Sequence, residues 1–254
     1  MKYLFSALQE LNILLKKRNK FIMLDYDGTL TPIVEKPELA VLHKDMNIIL
    51  KKLAAKYPIA IISGRSLKEL KNLVKVDGIY YAGNHGFEIS NDTEYIHPSA
   101  ALTQPIIREV CSKLDRKLKR IKGVIVENKG LTASVHYRMV SEKYVKSLKA
   151  SLREFLKPYL EQGKIRVTRG KKVFELRPNI DWDKGKAIEW LVKVTNKEAY
   201  LPLYIGDDRT DEDAFLALRE KGLGILVTLY KKESFAKYFV KNVAEVEKFL
   251  NFLL

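Results

Sequence analysis

Two aspartates one residue apart follow a run of four apolar side chains: Phe21, Ile22, Met23 and Leu24 lead into Asp25, Tyr26, Asp27, Gly28, Thr29 and Leu30. An aspartate carboxylate can attack phosphorus to form an acyl phosphate, and a carboxyl two residues later can protonate the departing alkoxide. That division makes Asp25 the expected nucleophile and Asp27 the expected acid and base. Alternation along a strand would point the two apart, but Gly28 permits the chain to turn so that both reach one phosphate. Two carboxylates repel a phosphate dianion unless a cation neutralises the charge. Asp207, in the stretch Gly206, Asp207, Asp208, is the third acidic group expected at that cation. Oxygen ligands in a chain with a single cysteine and 4 histidines favour magnesium. The expected ligands are Asp25, Asp27 through its backbone carbonyl, and Asp207. Asp208 and Asp211 are expected to support them from behind or to orient the loop. The transferring group also needs fixed donors and positive charge, for which Ser63, in Ser63-Gly64-Arg65, and Lys184 are the candidates.

These residues must be held by elements that end in the right place. Four apolar residues in succession fit a central strand covered on both faces, and open α/β sheets bind ligands beyond the carboxyl ends of such strands. Residues 4 to 15 repeat apolar side chains at helical spacing before that strand, and 43 to 56 read as a helix broken by Pro58. A strand over 59 to 62 ends in Ser63-Gly64-Arg65. A helix from 66 to 73 then leads to a strand over 78 to 82, which ends in Gly83-Asn84-His85-Gly86. The alternation predicts right-handed crossovers and a parallel sheet. It resumes near Lys184 with a helix, a strand over 201 to 205 entering the acidic loop, a strand over 223 to 227 and a helix over 243 to 254.

The middle of the chain breaks this rhythm. From about 103 to 178 the pattern is helix, strand, strand, helix, strand, strand, with hairpin turns expected at Asn128-Lys129-Gly130 and Arg169-Gly170. Alternation puts Thr132, Ser134, His136 and Arg138 on one face and Leu131, Ala133, Val135 and Tyr137 on the other. Residues 97 to 105 and 177 to 179 read as linkers. The predicted architecture is an α/β, Rossmann-like core over 1–102 and 179–254, interrupted by an α+β insert over 103–178.

Composition bounds the function. Hydrophobic residues make up 46% and charged residues 30%, which excludes global disorder. No apolar run approaches the roughly 20 residues that span a bilayer, and no secretory signal is evident. One cysteine, Cys111, excludes an internal disulfide and a multi-cysteine zinc site and reads as a packing residue, and His136 reads as a strand or packing residue rather than a catalyst. A cytoplasmic location is expected. The net charge of +15 is spread over lysines in nearly every expected helix, without a nucleic-acid motif, so no nucleic-acid or membrane partner is expected and attraction of an anionic substrate is a modest addition.

The ordered set, Asp-x-Asp-Gly-Thr after a strand, Ser-Gly-Arg after a second, a helix-initiating Lys184 and Gly-Asp-Asp after a later strand, resembles the haloacid dehalogenase superfamily of phosphotransferases. The insert lies where that superfamily places a substrate-selecting cap. Its sequences, Glu127-Asn128-Lys129-Gly130, Ser134-Val135-His136-Tyr137-Arg138 and Lys171 to Pro178, together with Gly83 to Glu88, resemble trehalose-6-phosphate phosphatases. The resemblance implies hydrolysis of trehalose 6-phosphate with magnesium. It implies a sugar pocket lined by Glu127, Lys129, Arg138, Lys171 and Glu175 from the insert and Arg65, Asn84 and His85 from the core. Another sugar phosphate, such as sucrose phosphate or mannosylglycerate phosphate, and a non-catalytic sugar-phosphate-binding regulator are the alternatives. With 254 residues the chain is expected to lack an attached synthase, so a synthase partner would be a separate polypeptide.

Overall fold

The computed structural model describes residues 1–91 and 93–254. The chain forms two compact units, one over residues 1–95 and 182–254, the other over 96–181. In the first, the chain runs β1 (Lys2–Tyr3), α1 (Leu8–Lys17), β2 (Lys20–Leu24), α2 (Lys44–Ala54), β3 (Ile59–Ile62), α3 (Leu67–Val74), β4 (Tyr80–Gly83), β5 (Glu88–Ser90) and β6 (Glu94–Ile96). The insert contains α4 (Pro98–Leu118), β7 (Ile125–Asn128), β8 (Ala133–His136), α5 (Glu142–Glu161), β9 (Ile165–Gly170) and β10 (Val173–Pro178). The core then resumes with α6 (Lys184–Val194), β11 (Leu201–Gly206), α7 (Glu212–Ala217), β12 (Leu223–Val227), β13 (Tyr238–Val240) and α8 (Val243–Phe252).

The core sheet has the order β1-β13-β12-β11-β2-β3-β4-β5-β6. From β1 through β4 all neighbours in that order are parallel. The expected parallel sheet is present, but its edge differs: β5 folds back antiparallel on β4, and the short strands β1, β6 and β13 are too brief to show a period in sequence. All five residues of β2 are buried. Ile22 and Leu24 pack with α2 and α8, while Phe21 and Met23 pack with Ile188 and Leu191 of α6 and Phe215 of α7. A strand flanked by helices on both faces has no solvent face to carry polar residues, which is why β2 after Lys20 reads as a continuous apolar run.

The insert is a four-stranded antiparallel sheet in the order β7-β8-β10-β9. Ala133, Val135, Phe174 and Leu176 join Ile107, Leu114, Leu148 and Leu152 of α4 and α5 in one apolar core. The stretch 97 to 105 is not a linker. Pro98 stands in the first turn of α4, where the missing N–H costs nothing, and the helix continues through Pro105. Arg177 and Pro178 likewise belong to β10. The second hairpin turns at Lys171 and Lys172 rather than at Arg169 and Gly170, with Lys172 at φ +60° and Gly170 paired to Val173. The turn residue is a lysine in the left-handed region, a conformation that sequence statistics assign to Gly or Asn. Charge is unevenly divided: residues 96–181 hold 20 Lys and Arg against 8 Asp and Glu, leaving +12 of the total +15 on the insert. No helix among the described residues is long and apolar enough to cross a membrane.

Candidate active site

Parallel strands put their carboxyl ends on one edge, and four of them there release chemically capable side chains: Asp25 after β2, Ser63 after β3, Asn84 and His85 after β4, and Asp207 after β11. The Asp25 N–H donates to the Ile205 carbonyl at 2.9 Å, extending the β2–β11 register by one residue. The chain then leaves the sheet. Gly28 adopts φ +86°, and its Cα lies so close to the acidic loop that a Cβ there would stand 2.2 Å from Asp207 Oδ2. Glycine is thus required twice at this position, for conformation and for approach. Tyr26 anchors the turn from inside, fully buried and donating to the Ala40 carbonyl at 2.8 Å.

The two aspartates end in different surroundings. Asp25 is 5% exposed, and its Oδ1 accepts from Lys184 Nζ at 2.7 Å. Lys184 sits at the start of α6, whose N-cap Asp183 accepts from the Lys186 N–H at 2.9 Å. The same ammonium donates to Asp211 Oδ1 at 2.6 Å. Asp211 also accepts from Tyr204 Oη at 2.6 Å through Oδ1, and from the N–H groups of Asp207 and Asp208 at 2.9 and 2.8 Å through Oδ2. Burial pushes the Asp25 carboxyl well above the ordinary range, with Lys184 opposing and the nearby Asp211 and Asp207 adding to the rise. Burial acts the same way on Asp211, but there Lys184, Tyr204 and the loop amides prevail and hold it ionised.

Asp27 faces outward, its side chain 37% exposed, and is gripped by Arg65: Nε donates to Oδ2 and Nη2 to Oδ1, each at 2.8 Å. Arg65 is itself buried, paired with Glu69, donating to the Pro37 carbonyl at 2.8 Å and lying over the Tyr26 ring. Its guanidinium is thus shared among Asp27, Glu69 and the Pro37 carbonyl. Ser63 is 1% exposed, and its Oγ accepts from the Arg65 N–H at 3.2 Å. Asn84 and His85 both have positive φ, at 49° and 59°, followed by Gly86 at 90°. Asn84 is fully buried and donates to Glu88 Oε1 at 2.5 Å, which also accepts the Leu67 N–H at the start of α3. His85 lies against Gly64, where a Cβ would stand 2.6 Å from its Cε1.

In the insert, the register places Glu127, Ser134, Glu175 and Thr168 in one row across the sheet. Lys129 Nζ lies 3.9 Å from Glu127 and 3.6 Å from Glu175, and Ser134 Oγ donates to Glu175 Oε1 at 2.8 Å. His136 Nε2 pairs with Glu127 Oε2 at 2.8 Å. His136 is therefore a strand residue on the polar face, as the alternation of 132, 134 and 136 predicts, and only the register with β7 brings it to Glu127. Burial alone would raise the Glu127 carboxyl, yet Lys129 and then His136 hold it below the ordinary range. Arg138 donates to the Lys171 carbonyl at 2.9 Å, so it fixes the hairpin turn, and Lys171 is exposed.

Oxygens of Asp25, Asp207 and Asp211 lie within 4.8 Å of one another, a donor set that suits a hard cation. Both Asp211 oxygens are already committed, whereas Asp25 Oδ2 meets no donor among the described residues. Asp25 and Asp207 are the other two carboxylates of that set. Two residues of the site escaped the sequence reading. Tyr204 reads as one more apolar position of a strand, and Thr29, fully buried with an Oγ1 that meets no partner among the described residues, as part of a turn.

Comparison with known proteins places this arrangement. The family model described as trehalose-phosphatase matches residues 23–244, through β2, the insert and the acidic loop. Trehalose-phosphate phosphatase B of Arabidopsis thaliana is 40% identical over 255 residues, covering 94% of this chain and 67% of that protein. Among solved structures, a trehalose-6-phosphate phosphatase related protein superposes with a TM-score of 0.80 at 25% identity over 92% of this chain and 96% of the other. The C-terminal domain of the C. albicans trehalose-6-phosphate phosphatase shares the fold, with a TM-score of 0.82 at 24% identity over 96% and 95%. Because the match carries both the aspartate–lysine centre and the insert that interrupts it, this chain belongs to the trehalose-phosphatase family.

Proposed function

We propose that this protein is a magnesium-dependent phosphatase that hydrolyses trehalose 6-phosphate to trehalose and inorganic phosphate through a phosphoryl group held on Asp25. The observation that carries the reading is the buried bridge of Lys184 between Asp25 and Asp211, beside Asp207, in a chain of this family. Magnesium would be held by Asp25, Asp207 and the backbone carbonyl of Asp27, and when bound it neutralises the charge that otherwise repels a phosphate dianion. With Oδ1 on Lys184, Asp25 keeps Oδ2 for the attack. The new Oδ2–P bond forms as the P–O bond to the sugar breaks, and Asp27 gives the leaving oxygen its proton. Asp27 then takes a proton from the water that attacks the acyl phosphate, releasing phosphate and restoring Asp25. Ser63 and Lys184 steady the transferring group.

Glu127, Lys129 and Glu175 offer the carboxylate acceptors and ammonium donor that sugar hydroxyls require, with Arg138, Lys171, Asn84 and His85 as further contacts of the proposed site. A cytoplasmic setting suits a chain whose one cysteine, Cys111, is buried and reduced. The decisive assay is turnover of a panel of sugar phosphates by the purified protein with magnesium, with and without EDTA. Trehalose 6-phosphate is expected to be preferred and EDTA to abolish turnover. Preference for sucrose phosphate or mannosylglycerate phosphate would overturn the substrate, and full activity of Asp25→Asn would overturn the nucleophile.

A further inference from the structure

β11 delivers the acidic loop, and one of its own side chains reaches back to hold that loop. Tyr204, three residues before Asp207, is fully buried on the α6 and α7 face of the sheet, its ring edge-on to Phe215 at 5.7 Å. Packing explains the ring, and phenylalanine would fill the same space. The hydroxyl needs a separate reason, since a buried O–H without a partner is destabilising and here the partner is inside the catalytic centre. Tyr204 Oη lies 2.6 Å from Asp211 Oδ1, the oxygen that also receives Lys184. With Oδ2 on the amides of Asp207 and Asp208, every direction of the Asp211 carboxylate is fixed. Gly206 allows this, because a Cβ there would stand 2.3 Å from Asp211 Cγ.

We propose that Tyr204 is a positioning residue for the phosphoryl-transfer centre: its hydroxyl sets the rotation of Asp211, so that Oδ1 holds Lys184 against Asp25 while Oδ2 clamps the backbone that presents Asp207. The inference rests on the metal-dependent reading above. Without the hydroxyl, Asp211 Oδ1 keeps only Lys184, and the rotation of the carboxylate over the loop amides is less tightly set. Asp207 then loses its fixed approach to Asp25, and the cost falls on cation affinity and on the chemical step rather than on sugar binding.

The test compares the parent protein with Tyr204→Phe and, as a packing control, Phe215→Leu. Melting temperature is measured against magnesium concentration to obtain the half-saturating concentration, a readout independent of turnover. Steady-state kcat and KM are then measured at saturating magnesium. Tyr204→Phe is expected to raise the half-saturating magnesium and lower kcat by about tenfold each, with KM within about twofold. Phe215→Leu is expected to lower the metal-free melting temperature without moving the magnesium midpoint. Combining Tyr204→Phe with Asp211→Asn is expected to add little to Asp211→Asn alone, since both act through one carboxylate. A Tyr204→Phe protein with parental midpoint and kcat overturns the inference while the proposed function stands, as does failure of that variant to fold, which assigns the hydroxyl to the fold. A parent whose melting temperature ignores magnesium overturns the metal-dependent reading, and this inference with it.

Discussion

Asp25 and Asp27 are two residues apart, yet one is buried against an ammonium and the other half-exposed in the grip of a guanidinium. The asymmetry matches the unequal tasks proposed for them, since a nucleophile gains from exclusion of water whereas an acid and base must exchange protons. Asp27→Asn is expected to slow turnover of a sugar phosphate by about 10²–10⁴-fold. First-turnover release of p-nitrophenolate from p-nitrophenyl phosphate should fall far less, because that leaving group needs no proton; equal losses on both substrates would remove Asp27 from the role of acid. Cys111 is inert by the same electrostatic reasoning: burial pushes its thiol up to about 11. It remains protonated at pH 8, and alkylation by iodoacetamide is expected only after unfolding in urea.

At the scale of elements, the loop after β2 and the loop after β11 can approach only because Gly28 leaves room. Gly28→Ala would place a methyl group into the Asp207 carboxylate and force alanine to φ +86°. Strain of about 1–3 kcal/mol and a loss of at least about 10²-fold in kcat are expected, measured by melting temperature and steady-state assay; a fully active variant would show that the loops need not close to this distance. In the insert, β7 and β8 are joined on their polar face by Glu127 and His136. The Glu127 carboxyl is held below its ordinary range, so its contribution to stability is present above the unfolded value of about 4.3 and is lost as pH falls through the folded one. Glu127→Gln should therefore lower the melting temperature at pH 7 and converge on the parent near pH 3.

For the whole molecule, charge is the property that the fold redistributes. The insert holds +12 of the net +15, most of it on its strands, turns and loops, since α4 and α5 each carry a net charge of only +2. A positive field of this kind attracts phosphate dianions at long range and is screened by salt. Raising KCl from about 20 to about 300 mM is expected to lower kcat/KM for a sugar phosphate at least about threefold, with less change for kcat; a flat response would confine recognition to short-range contacts.

Elements with a long, consistent period were legible before folding. The fully buried strand β2, the helices over 44–54 and 184–194 and the polar face of β8 each follow from a repeat of 2 or 3.6 residues or from its absence. Local chemistry also marked the strand ends at Asp25, Ser63 and Asp207, where charge or a hydroxyl follows an apolar run. The linker reading of 97 to 105 failed because proline is compatible with a first helical turn and with an exposed later one, and the hairpin at Lys171 and Lys172 hid a left-handed lysine. Sequence by itself thus determined which residue types reach the carboxyl edge of the sheet and in what order, because backbone periodicity is local. Only the tertiary structure decided their partners: that Arg65 grips Asp27, that Lys184 bridges Asp25 and Asp211, and that the hydroxyl of a strand tyrosine reaches Asp211. Hydrogen bonds between strands, and between a strand and a later helix, depend on register and approach, and neither is written in the spacing of one segment.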